Sequence, residues 1–112
     1  MAEQKAEFAM LTFDFLRLIS EESAVLSKRA GEFLEFSERS SLVAIIKPEL
    51  IMAHITLRSL SEACKNALET CAIDDDKVVR VPAEQFLQIA DASQIGMEAY
   101  KEAEKYISFS LH

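Results

Sequence analysis

A chain of 112 residues has room for one domain, taken as residues 1–112, and half of those residues are hydrophobic, enough for a core without metals or disulfides. With only 2 Gly, 2 Pro and no Trp, it lacks the turn residues that a strand-rich fold demands, so an all-α class is expected. A formal net charge of −7 repels phosphate, and the 12 basic residues form no cluster larger than Lys28-Arg29, which argues against nucleic acid as a partner.

The start, Met1 to Glu7, has neither the basic region nor the small-residue cleavage site of a secretory signal. The apolar stretch from Phe8 to Ile19 is interrupted by Asp14 and Arg17 and is too short to span a bilayer. A cytoplasmic protein with no membrane partner is therefore expected.

From Glu3 to about Arg39 apolar residues recur at spacings of three and four (Ala9, Leu16, Ile19, Leu26, Ala30, Phe33) against a charged back that includes Glu7, Asp14, Glu21 and Lys28. This period predicts one long helix. Gly31 is either its weak point or a place of close packing, and a break near Ser20 or Gly31 stays open. Ser37 to Ser41 reads as a turn. The run Leu42-Val43-Ala44-Ile45-Ile46-Lys47 is rich in β-branched residues, yet no second strand is evident to pair with it. A short fourth helix around 42–47, or an extended connector, is expected there.

Pro48 suits the first turn of a second long helix, which runs to about Ala72. Its seam is Leu50, Ala53, Leu57, Leu60, Cys64, Ala67, Leu68 and Cys71. Cys64 and Cys71 lie two turns apart, about 10 Å along the axis, too far to bridge each other. Reduced thiols fit a reducing compartment. Asp74-Asp75-Asp76 then reads as a solvated loop, lacking the spaced ligands and glycine of a calcium loop. Val78 to Val81 reads as an extended linker, and Pro82 as the opening of a third long helix with a seam of Phe86, Ile89, Ala90, Ser93, Met97, Tyr100, Ala103 and Ile107. The expected architecture is an antiparallel bundle of three long helices, with the short fourth around 42–47.

Candidates for chemistry are few. There is no nucleophile elbow, phosphate-binding loop or dinucleotide glycine motif. With His54 and His112 as the only histidines, no metal site or cofactor is expected, and no small-molecule substrate suggests itself. The run Ala53-His54-Ile55-Thr56-Leu57-Arg58 bears a faint likeness to histidine phosphotransfer domains, which are helical bundles of similar size. Its register is off by one and the customary glycine is missing, and a core-flanking role for His54 competes with that reading.

The feature with most to say is surplus apolar surface. Around the first half of helix one (Phe8, Leu11, Phe15) and of helix two (Ile51, Ile55), apolar residues occupy every side, more than one stripe per helix requires. The function expected is a non-catalytic protein–protein interaction module, self-associating as a homodimer or docking a protein partner through Phe8, Leu11, Phe15, Ile51 and Ile55. Two alternatives stand beside it: phosphotransfer through His54, and a small acidic inhibitor or decoy for a basic site.

Overall fold

The computed structural model describes residues 7–39 and 41–110, excluding the side chains of Ser37, Leu42 and 107–110. The readings made for residues 1–6 and for Leu111 and His112, and the seam position of the Ile107 side chain, lie outside that range. The elements run β1 (Phe8–Thr12), α1 (Phe13–Ser37), α2 (Ser41–Ala44), α3 (Lys47–Thr70), β2 (Ala72–Ile73), β3 (Val78–Pro82) and α4 (Ala83–Ser110).

Three long helices dominate, as the all-α expectation has it, but the fold also holds strands that the expectation left out. A three-stranded antiparallel sheet in the order β1-β3-β2 joins the segment before α1 to the segment between α3 and α4. Helix one therefore begins at Phe13 and not near Glu3. Phe8 to Thr12 forms a strand because its residues alternate: Ala9 and Leu11 turn inward opposite Val81 and Val79, while Phe8 and Met10 stay exposed. The supposed linker Val78–Val81 is the central strand, and Val79 and Val81 are fully buried. Pro82 closes that strand, and α4 starts one residue later, at Ala83.

Each turn has a local cause. Thr12 caps α1, its hydroxyl accepting from the Phe15 amide at 3.1 Å, so strand passes into helix without a loop. Asp74 organises the β2–β3 hairpin: its Oδ1 accepts from the Asp76 and Val78 amides at 2.9 and 3.0 Å. Lys77 completes that turn at φ 59°. In the second helix, Pro48 sits in the first turn as expected, and all six buried residues of α3 belong to the predicted seam. The short fourth helix covers Ser41–Ala44, starting one residue before and ending three before the 42–47 expected, and Ile46 just after it is buried in the core.

The strand register fixes where the helices stand. α1 leaves the sheet at the Thr12–Val78 end, and α4 leaves it at the Phe8–Pro82 end. Five paired residues hold those helix starts roughly 15 Å or more apart, whereas packed helix axes lie about 8–10 Å apart. α3 arrives between them, because β2 pairs Ala72 with Arg80 at the middle of β3. Accordingly α3 packs against both neighbours, while α1 and α4 form no substantial interface with each other among the described residues. The three helices make an open layer around α3, and the molecule is only 18 Å thick along its shortest axis.

On the α4 side the close approach depends on Gly96. A Cβ there would stand 2.9 Å from Leu57 Cδ2 and 3.4 Å from the Leu57 amide nitrogen. Leu57 is fully buried and has no free space to swing into. Gly96→Ala is therefore expected to destabilise the fold by about 1–3 kcal/mol despite its gain in helix propensity; thermal unfolding of the two proteins measures this.

Candidate functional site

The α1 side facing α3 is built from small residues: Ser20, Ser23, Ser27, Ala30 and Gly31. Ser23, Ser27 and Ala30 are buried. Small side chains let two helix backbones approach closely, and the serine hydroxyls then need partners. Ser23 donates back to the Ile19 carbonyl of its own turn. Ser20 and Ser61 exchange hydrogen bonds across the seam: the Ser20 hydroxyl donates to the Ser61 carbonyl at 3.1 Å, and the Ser61 hydroxyl to the Ser20 carbonyl at 2.7 Å.

Two turns further along, Ser27 and His54 repeat the arrangement. The Ser27 hydroxyl donates to the His54 carbonyl at 2.7 Å, and His54 Nδ1 lies 2.7 Å from the Ser27 carbonyl. A carbonyl only accepts, so Nδ1 carries the proton. Both bonds tie side chain to backbone, which fixes the antiparallel register of α1 and α3 without charge.

His54 is thereby placed in the α1–α3 seam, half-buried and pressed against Gly31. A Cβ on Gly31 would meet the imidazole Cε1 at 3.0 Å and Nδ1 at 3.1 Å. The glycine is a close-packing spot, and α1 runs through it unbroken. A phosphotransfer histidine must offer its ring to a second protein; this ring is committed to packing and to a carbonyl of its own fold. The geometry favours the structural role.

The remaining reactive groups are also held by the fold. Cys64 and Cys71 are free. Burial pushes the Cys64 thiol up to about 11, which leaves it protonated and unreactive at neutral pH. Half-buried Cys71 contacts Gln85 Oε1 at 3.7 Å. Among the described residues no three His, Cys, Asp or Glu side chains gather as a metal site would require. No helix there is long and apolar enough to cross a membrane.

Apolar surface is what remains. Phe15, Leu18, Val25 and Phe36 form a stripe along α1 and stay 49 to 56% exposed. On α3, Ile51, Met52 and Ile55 form a second patch, opposite the seam that packs against the neighbouring helices. Four of the five residues expected at an interface are thus exposed: Phe8, Phe15, Ile51 and Ile55. Leu11 is the exception. It lies on the inner side of β1, half-buried against the core. Leu18 and Val25 read as apolar flanks of the helix-one seam without being singled out for the interface, and Phe36 is not named, although all three share one helical face with Phe15. Comparison with protein families, with characterised proteins and with solved structures gives no match to this chain.

Because Gly31 and His54 touch, their substitutions are expected to couple with a change of sign. In the wild-type background Gly31→Ala creates a clash and destabilises by about 1–2 kcal/mol. In a His54→Ala background the space is open, so Gly31→Ala gains up to about 1 kcal/mol from helix propensity. Chemical denaturation of the four proteins in the cycle measures both values.

Proposed function

We propose that this protein is a non-catalytic interaction module of the cytoplasm, which self-associates as a homodimer or docks a protein partner through apolar helix faces. The observation that carries the reading is the α1 stripe. Four large apolar side chains on one face of one helix remain about half exposed. An isolated exposed leucine is ordinary; four exposed large apolar residues aligned on one helix face point to a surface that another chain covers. The second patch, at Ile51, Met52 and Ile55, supports the same reading.

The open layer gives a reason for the surplus. A closed bundle would turn one stripe per helix toward a shared axis. Here α1 meets α3 mainly with small residues, Leu16 being the one large side chain of α1 that is fully buried, and most of its other large residues lie to the side and outward. Of these, Ile19, Leu26 and Phe33 pack at the edge of the core, and the outer stripe has no cover among the described residues. The acidic-decoy reading has less support, because no dense carboxylate face accompanies the apolar one, and basic residues such as Lys28, Arg29 and Arg58 interrupt the acidic ones.

Light scattering at rising concentration tests the proposal. The mass is expected to climb from the 12.6 kDa of the monomer toward twice that value at high micromolar concentration. Leu18→Glu on α1, or Ile55→Glu on α3, should return it to the monomer value, and whichever does so identifies the working surface. A monomer mass throughout would overturn self-association.

A further inference from the structure

The charges set into the α1 stripe are ordered with respect to its centre. Glu21 and Glu22 lie four and three residues before Val25, and Lys28 and Arg29 lie three and four residues after it. All four are exposed, and none makes an ion pair among the described residues. The apolar residues are disposed in the same way, with Phe15 and Leu18 on one side of Val25 and Phe33 and Phe36 on the other. The stripe is concave at its middle, where a depression of about 300 Å³ is lined by Glu21, Glu22, Val25, Leu26 and Arg29.

We propose that α1 pairs antiparallel with α1 of a second copy of this chain, about a two-fold axis passing close to Val25. This inference rests on the association reading above and gives it a partner and a geometry. A two-fold contact brings the same patch of both copies together, so the patch must be complementary to itself. Antiparallel pairing about Val25 sets Glu21 and Glu22 against the partner's Arg29 and the partner's Lys28, and symmetry repeats the contact. It also brings Leu18 and Phe15 within one residue's rise of the partner's Phe33 and the partner's Phe36, with the partner's Glu32 level with Leu18. Parallel pairing would set Glu on Glu and Arg on Arg, which is repulsive. The charges thus select the orientation, and the apolar residues supply the association.

α1 has 25 residues, a length of about 37 Å at 1.5 Å per residue, so pairing along its outer face runs the full length of a long helix. A stable interface of this kind buries about 800 Å² per partner. The α3 patch lies elsewhere on the surface, with the charged residues Arg17, Lys28 and Glu35 of α1 between the two. It is not needed for this pairing.

Sedimentation equilibrium on charge-reversed full-length chains tests the geometry, with circular dichroism to establish that each variant folds. Lys28→Glu with Arg29→Glu reverses the basic pair after Val25, and Glu21→Lys with Glu22→Lys reverses the acidic pair before it, Glu32 being left unchanged in both. Each variant alone is expected to associate roughly tenfold or more weakly than wild type, while an equal mixture should form a heterodimer close to wild-type strength. The chain carrying all four reversals should again form a homodimer. Lys65→Glu with Lys101→Glu makes the same change in net charge away from the stripe and should leave the dimer intact. A dimer indifferent to Lys28→Glu with Arg29→Glu, or a mixture of folded variants that stays monomeric, overturns the α1 pairing while leaving association through another face standing. A wild-type chain monomeric at high micromolar concentration overturns self-association as well.

Discussion

The close approach of α1 and α3 is the constraint on which the rest of the molecule depends. Small residues on one side of α1 let the helices meet, and two reciprocal side chain-to-carbonyl pairs, Ser20 with Ser61 and Ser27 with His54, lock the register. Each such bond contributes only about 1 kcal/mol net, but leaving a buried hydroxyl or imidazole unpaired would cost about 1–3 kcal/mol. The pairs therefore act chiefly by excluding other registers. With its inner side given mostly to small residues, Leu16 apart, α1 carries most of its large apolar residues elsewhere. The exposed stripe follows from the way the core is built.

The sheet imposes the second condition. It is small, with one strand of two residues, and it would not stand alone. Its work is to clamp the starts of α1 and α4 to opposite ends of one ladder, with α3 entering between them. Val79 and Val81 join the sheet to the helical core, and a cation–π contact of 4.8 Å between Arg80 and Phe8 covers part of its outer face. Because α1 and α4 are held apart, the helices form a layer, and a layer has more surface to cover than a closed bundle of equal length. Fold and proposed association thus share one physical origin.

Much of the helical content was legible in the sequence. The α3 seam was read residue by residue, since a helix packed along one side by two neighbours shows its apolar period plainly. The short strands were not legible. Phe8 to Thr12 fits a helical stripe and a two-residue alternation equally well over so short a window, and its partner at Val78–Pro82 lies about seventy residues further along the chain. The absence of an evident second strand was itself the wrong inference. Within the candidate site, the exposure of Phe8, Phe15, Ile51 and Ile55 was legible because apolar residues there exceed what one stripe per helix can bury. Leu11 was misplaced because strand alternation, not helical phase, decides which way it turns. The serine face escaped notice because Ser20, Ser23 and Ser27 count as polar in a hydrophobic pattern, although two of them are buried.

A distance between two copies tests the central claim, that α1 is a two-faced helix with one side for α3 and the other for a second α1. Nitroxide labels introduced by Asp14→Cys, in a Cys71→Ser chain whose remaining thiol, Cys64, is buried, report the separation by pulsed dipolar spectroscopy. Antiparallel pairing about Val25 places the two labelled positions eleven residues to either side of the axis, about 33 Å apart along the helices. A distribution centred near that value is the expected result. A separation of about 15 Å, as parallel neighbours would give, or no dipolar coupling at high micromolar concentration, would contradict the account.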